Sequence, residues 1–333
     1  MLDREYPSVS VILPVLNEEH HLEAAVKSVL AQDYPGELEV LLALGPSTDK
    51  TNAVAEALAD SDMRVRMVPN PDGRTTVGMN KCIHLARYEV VIRVDAHSEL
   101  GANYIKRGVE ILFEVGADEV GGIMDAKGTS AFQKAVAWAY TSRFGVGGAA
   151  YHVGGAAGEA ESAYMGIFRK SALLRVGGYD ESIVRGEDWN LAQRIKSSGG
   201  LVWFTPELRV TYWPRGRFDR LVKQFWSTGV WRGDLTRRDF RGASIRYFAP
   251  PLLVLAALAG LIFLAFGKFL GIIPLALYLL AVFALAVTAR NLSLKARIAL
   301  MIALPTIHFS WGVGFVFGLV RGASRTVDRS RVK

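Results

Sequence analysis

Asp95-Ala96-His97 sets a carboxylate and an imidazole two residues apart, where the apolar run Val90-Val91-Ile92-Arg93-Val94 stops. A β-branched run of this kind reads as a buried parallel strand, and open α/β sheets bind ligands outside the carboxyl ends of their strands. An oxygen and a nitrogen donor at that place can hold a divalent cation against a diphosphate. Carboxylate suits Mg²⁺ or Mn²⁺, and imidazole shifts the preference toward Mn²⁺. The plainer alternative is that Asp95 caps a following helix and His97 is an ordinary loop residue.

The elements that must position this pair follow from periodicity. Residues 8–13 alternate and end at Pro14, reading as a first strand; Asn17 is then expected to cap a helix carrying Glu18 and Glu19 at its positive end. Strands are predicted at 38–44, 64–68, 89–94 and 119–124, with helices through about 59, over 75–86 and over 103–115. Strands alternating with helices need right-handed crossovers, so the fold class is α/β with a mostly parallel sheet. The glycine-rich stretch 145–158 lacks a preceding strand and dinucleotide spacing, and reads as a mobile substrate loop or a plain linker.

Of the 333 residues 50% are hydrophobic, and the excess gathers after residue 248. The runs 248–266 and 270–289 are each long enough, at about 1.5 Å per residue, to cross a hydrocarbon core of roughly 30 Å. A third run, 298–320, contains Pro305, His308 and Ser310, and reads as a kinked span or a re-entrant pair of half-helices. A buried helical core is the alternative for all three. The N-terminus carries no signal peptide, so the preceding domain is expected in the cytoplasm. The single cysteine, Cys82, excludes an internal disulfide.

The net charge of +7 does not point to nucleic acid, because Arg215, Arg217, Arg220, Lys223, Arg232, Arg237, Arg238, Arg241 and Arg246 cluster just before the first apolar run. That placement follows the positive-inside rule and suits anionic membrane lipids. Arg321, Arg325, Arg329, Arg331 and Lys333 favour a cytoplasmic C-terminus, whereas three full crossings place it outside. The expected domains are 1–235, a basic juxtamembrane linker 236–247, a transmembrane region 248–320 and a basic tail 321–333.

Several segments, taken in order, resemble the family 2 inverting glycosyltransferases of GT-A fold. They are Val9-Ser10-Val11-Ile12-Leu13-Pro14-Val15-Leu16-Asn17-Glu18-Glu19, Ser28-Val29-Leu30-Ala31-Gln32-Asp33-Tyr34-Pro35, Pro46-Ser47-Thr48-Asp49-Lys50-Thr51, Asp95-Ala96-His97, Val176-Gly177-Gly178-Tyr179-Asp180-Glu181 and Gly186-Glu187-Asp188. The Asp-Ala-His form and the apolar tail resemble the succinoglycan-type glucosyltransferases, which extend a polyprenyl-diphosphate-linked sugar on the cytoplasmic face. The match covers about residues 8–235.

The resemblance implies transfer of a hexose from a nucleotide sugar, most simply UDP-linked, to a lipid-linked or cell-surface polysaccharide acceptor by an inner-membrane, multi-pass enzyme. Asp95 and His97 would hold Mn²⁺ or Mg²⁺, and Asp188 would be the base that deprotonates the acceptor hydroxyl, with Glu187 supporting it or contacting the acceptor. Acidic residues opening a helix also serve its dipole without any catalytic duty. Pro14, Asn17, Glu18, Arg74, Asn80 and Asp95 fall at donor-binding positions. Gln224, Trp231 and Arg232 match a distal element that closes over donor and acceptor, or belong to an interfacial helix.

The chain departs from many relatives at Ala43-Leu44-Gly45-Pro46-Ser47, where a base-recognising carboxylate is missing. It also lacks the longer distal element of processive synthases, which favours one sugar per encounter. The alternatives are a polyprenyl-phosphate mannose or glucose synthase, and an inactive transferase fold retained as a membrane assembly partner.

Overall fold

Val9, Ser10, Val11, Ile12 and Leu13 are all buried, odd and even positions alike, so the first strand is covered on both faces. The same holds for Val40, Leu41, Leu42 and Ala43, and for Val90, Val91 and Ile92. Strands of this composition form the centre of an α/β sheet. The computed structural model describes residues 6–240 and 243–323. Arg241 and the basic residues 325–333 therefore lie outside the described residues.

The chain divides into two units, the first comprising the described residues through Asp125 together with Ala149–Tyr212. Within it run β1 (Val9–Val15), α1 (Leu22–Leu30), β2 (Leu38–Leu44), α2 (Thr51–Ser61), β3 (Val65–Pro69), α3 (Thr75–Leu85), β4 (Val90–Arg93), β5 (Glu99–Leu100), α4 (Tyr104–Glu114) and β6 (Glu119–Ala126). In chain order α5 (Ala131–Tyr140) comes next and belongs to the second unit; α6 (Ala150–Val153), β7 (Gly158–Glu159), β8 (Tyr164–Arg169), α7 (Lys170–Arg175), α8 (Glu187–Ser197) and β9 (Val202–Tyr212) return to the first. The sheet order is β3-β2-β1-β4-β8-β6-β9-β5, with β7 on β9. The first four strands are parallel, in register Ser10 with Glu39 and Val91. β8 then runs antiparallel to both β4 and β6. The glycine-rich stretch is not wholly irregular, since α6 and the start of β7 fall inside it.

At the starting end of the parallel strands, Glu39 is buried beside Ser10. Its carboxylate accepts from Ser10 Oγ at 2.8 Å, Arg66 Nη1 at 2.7 Å and the backbone N–H of Arg87 at 2.7 Å. Every oxygen of this buried acid is used, which is what makes its burial tolerable.

The second unit holds Ala126–Gly148 and the chain from Trp213 onward. Its helices are α5, α9 (Phe218–Arg238), α10 (Ala249–Ala265), α11 (Ile273–Thr288) and α12 (Leu294–Arg321), with a 3₁₀ turn Ile245–Phe248 leading into α10. Three segments, Ile245–Ala265, Phe269–Thr288 and Leu294–Arg321, are long and apolar enough to cross a membrane. The third is one continuous helix with Pro305 inside it, not a pair of half-helices. Leu252, Leu255, Leu258, Leu261, Leu277 and Leu280 stand exposed on α10 and α11, as lipid-facing surfaces do.

Helix α12 packs backbone to backbone on α9. A Cβ added at Gly229 or Gly233 would overlap the carbonyls of Trp311 and Phe315, and one at Gly314 or Gly318 would overlap those of Trp226 and Val230. Small residues at such a crossing let two helices approach closely and interlock.

Candidate active site

The loops after β1 and β2 are laced together at the carboxyl ends of their strands. Pro14 pairs with Ala43 near the end of the ladder. Three residues on, Asn17 takes a left-handed φ of 55°, a conformation asparagine tolerates better than most residues. Its Oδ1 accepts from the Thr48 backbone N–H at 2.8 Å, and its own N–H donates to Ser47 Oγ at 3.1 Å. Asn17 is thus a stitch between loops and not the cap of α1, whose N-cap is His21. The chain must first turn out of the sheet, so the helix starts later than its acidic residues imply.

That stitch fixes Glu18, whose backbone N–H donates to Thr51 Oγ1 at 2.7 Å. The Glu18 carboxylate lies 3.3 Å from His97 Nδ1, and both side chains are nearly buried. A carboxylate facing Nδ1 favours the proton there and leaves the Nε2 lone pair as the donor for a cation.

Arg93 is the last residue of β4, and Asp95 follows two residues beyond the strand end with its carboxylate beside the guanidinium. Arg93 Nε and Nη2 donate to Asp95 Oδ1 at 3.2 and 3.1 Å; Nη2 also reaches Glu187 Oε1 at 3.2 Å, and Nη1 bonds Asp188 Oδ1. One guanidinium thus gathers three carboxylates from two segments far apart in sequence. Its side chain is 7% exposed, whereas that of Asp188 is 34% exposed and so open to a reacting partner. Glu187 and Asp188 form the first turn of α8, which starts at Gly186 with φ of 80°, a turn that glycine makes without strain.

Arg74 and Asn80 both serve the segment that precedes α8. Asn80 Nδ2 donates to the Tyr179 carbonyl at 2.9 Å, its Oδ1 accepts from the Tyr179 N–H at 2.8 Å, and Nδ2 also meets Glu181 Oε1 at 3.0 Å. Arg74 pairs with Asp72 and donates Nη1 to the Glu181 carbonyl at 2.7 Å. The braced turn holds the buried Tyr179 ring 5.8 Å from the Arg93 guanidinium.

The electrostatics follow from this crowding. One edge of the Asp188 carboxyl stays open to solvent, but the packed surroundings take the rest of it out of water and push it up; Arg93 pulls it down, Glu187 and Asp95 push it up again, and the balance is about 7. Burial and the neighbouring Asp188 charge push Glu119, on β6, well above the usual carboxylate range. Arg93 is held charged: burial opposes the charge, but Asp188 and Asp95 outweigh it.

Among the described residues no group of three or more His, Cys, Asp or Glu side chains forms a ready-made metal cage. Asp95 and the oriented imidazole of His97 nonetheless fit a cation that completes its coordination with substrate phosphate oxygens and water, as Mg²⁺ commonly does. Three carboxylates on one arginine also leave negative charge that such an ion would offset.

Glu18, Asp95, His97, Glu187 and Asp188 are therefore joined through two links, one at His97 and one at Arg93. Gln224, Trp231 and Arg232 belong to α9 of the second unit, where Gln224 and Trp231 are buried and Arg232 is half-buried. Arg93 and Glu119 are the participants that the motifs alone do not single out. The available signal for Arg93 was a charge inside an otherwise β-branched strand, two residues before Asp95.

Comparison with known proteins agrees with this geometry. The family described as Glycosyl transferase family 2 matches residues 10–177. The succinoglycan biosynthesis protein ExoA of Rhizobium meliloti (strain 1021) is 31% identical over 312 residues, covering 92% of this chain and 93% of that protein. The dolichyl N-acetyl-alpha-D-glucosaminyl phosphate 3-beta-D-2,3-diacetamido-2,3-dideoxy-beta-D-glucuronosyltransferase of Methanococcus voltae is 22% identical over 333 residues, covering 95% and 98%. Among solved structures, the mannosyltransferase PcManGT from Pyrobaculum calidifontis, in complex with GDP-Man and Mn²⁺, has the same fold. Its TM-score is 0.58 at 19% identity, over 96% of this chain and 87% of that one. With its α/β sheet of GT-A type and a match over half its length to one family, the chain belongs to glycosyl transferase family 2 and is a glycosyltransferase.

Proposed function

We propose that the protein moves a hexose, with inversion, from a nucleotide sugar, most simply UDP-linked, to a lipid-linked or cell-surface polysaccharide acceptor. Asp188 is the base. Its carboxylate takes the proton from the acceptor hydroxyl while that oxygen attacks the anomeric carbon opposite the departing nucleoside diphosphate. Single displacement with one base inverts the anomeric centre. Glu187 keeps Asp188 and Arg93 in place.

Asp95 and His97 are the residues that would hold Mn²⁺ or Mg²⁺, with Glu18 fixing the imidazole. When bound, that cation supplies Lewis-acid stabilisation of the charge growing on the leaving diphosphate. Pro14, Asn17, Glu18, Arg74 and Asn80 border the donor, Arg74 and Asn80 chiefly by bracing the turn at Tyr179. Gln224, Trp231 and Arg232 serve acceptor or diphosphate.

The observation that carries this reading is the arginine bridge, which joins the strand-end pair to the helix-start pair of carboxylates. A lipid-linked or polysaccharide acceptor is supported by what the two relatives above are named for, and by three helices apolar enough to cross a membrane. We place the transferase region at 1–235, a linker at 236–247, spans within 248–320 and a basic tail at 321–333. The protein is then a multi-pass inner-membrane enzyme with its transferase region in the cytoplasm.

The test incubates membranes containing the protein with a panel of radiolabelled nucleotide sugars, with and without Mn²⁺, and extracts the lipid fraction. The reading expects cation-dependent label from a UDP-hexose. Label only from GDP-mannose, on a lipid monophosphate, would replace it with a polyprenyl-phosphate synthase.

A further inference from the structure

The turn that carries Asp188 is weakly secured at its own end. Helix α8 starts from Gly186, which offers no side chain to cap the first N–H groups, and its first internal bond runs from the Asn190 N–H to the Gly186 carbonyl at 2.9 Å. Arg93 grips Glu187 and Asp188. Both pulls converge on one guanidinium, so by themselves they draw the turn toward Arg93 with nothing set against them. A base must nonetheless keep an oxygen within hydrogen-bond reach of the acceptor hydroxyl, and a shift of about 1 Å is costly.

The next residue supplies the opposing hold. Successive helical residues lie about 100° apart around the axis, so Trp189 leaves α8 on a different side from Asp188. Its indole is buried, and Nε1 donates to Glu161 Oε1 at 2.9 Å. An indole N–H only donates, and a carboxylate is its strongest acceptor. Glu161 is itself held, because segment 159–163 runs along α8. Gln193 Nε2 donates to the Glu161 carbonyl at 2.6 Å; Lys196 Nζ donates to the Ala160 carbonyl at 3.2 Å and pairs with Glu159 at 3.1 Å. Trp189, Gln193 and Lys196 recur at helical spacing and share one face. The Ala160 N–H donates to the Val202 carbonyl of β9 at 2.9 Å, and the Glu119 carboxyl of β6 accepts from the Ala163 N–H. The segment is thus tied to two strands as well as to the helix, which makes it a firm support.

We infer that Glu161 is a positioning residue for the transfer: by holding the Trp189 indole it fixes the first turn of α8 and so the place of Asp188. The inference rests on Asp188 being the base proposed above and names what sets its position against the pull of Arg93.

The experiment measures label entering the lipid fraction with Mn²⁺ and radiolabelled UDP-glucose, or GDP-mannose should that be the donor, on full-length protein. Nucleoside diphosphate binding and thermal melting are followed on the same samples. Trp189→Phe keeps a ring and loses the N–H, and should lower kcat about tenfold with donor KM within about twofold. Glu161→Leu should cost the same, and Glu161→Gln, whose amide oxygen still accepts, should recover most of the loss. The double variant Trp189→Phe/Glu161→Leu should be no slower than either single variant, within about twofold, because the two residues act through one bond. Lys196→Gln loosens the same segment at the far end of α8 and should leave kcat unchanged. Losses that multiply in the double variant would overturn the inference, as would Glu161→Gln as slow as Glu161→Leu. An unchanged kcat in Trp189→Phe would overturn it even if Glu161→Leu does not fold. The base and its support fail separately: undiminished turnover of Asp188→Asn removes both, whereas a slow Asp188→Asn beside an unaffected Trp189→Phe removes the support alone.

Discussion

Two buried acid–arginine clusters occupy opposite ends of the same parallel strands, and they are built to opposite rules. At the starting end, Glu39 is one carboxylate served by Ser10, Arg66 and a backbone N–H. Burial alone would raise its pKa, but those donors outweigh burial and hold it below the usual range. At the carboxyl end, Arg93 is one cation serving three carboxylates, and Asp188 is left at about 7. The first cluster is over-supplied with donors and holds the sheet together. The second is short of positive charge, which is the condition a base and a cation site both need.

The comparison can be broken at its two centres. Arg93→Lys keeps the charge and loses the fork, so one ammonium must serve carboxylates that the guanidinium spanned; kcat should fall about 100-fold, with the fold retained in thermal melting. Glu39→Gln should do the reverse. It removes charge-assisted bonds at a site remote from the chemistry, lowering stability by about 2 to 3 kcal/mol while kcat per folded molecule stays within about twofold.

Two milder measurements sharpen the same contrast. A base must be ionised to accept a proton, so kcat/KM should rise with pH up to about 7 and level off above it. Below that point it should drop about tenfold per unit, and Glu39, ionised throughout, adds no second limb. Calorimetry should show Mn²⁺ and a nucleoside diphosphate each raising the other's affinity by about tenfold, since no described cage completes the ion without substrate oxygens.

Much of the frame was legible in the sequence, because strands buried on both faces read as continuous apolar runs and their alternation with helices admits few topologies. Asp95 and His97 were legible for the same reason: their position at a strand end is itself the signal. Arg93 was not, since a cation in a strand reads as an edge or surface feature until its partners, 94 and 95 residues away, are in place. Asn17 reads locally as a helix cap, and only the neighbouring loop makes it a stitch. Residues 298–320, read as a kinked span or half-helices because of Pro305, lie in one helix, as spans with internal proline often do. The glycines that seat α12 on α9 have meaning only in pairs, which one-dimensional periodicity does not carry.

The central claim is that the arginine-gathered cluster makes Asp188 the base for sugar transfer. Its most direct test is turnover of Asp188→Asn beside the parent protein, with the donor that labels lipid and with nucleotide binding measured on the same samples. The account predicts a loss of at least about 100-fold in turnover with nucleotide binding retained. Undiminished turnover would contradict it and remove Asp188 from the chemistry.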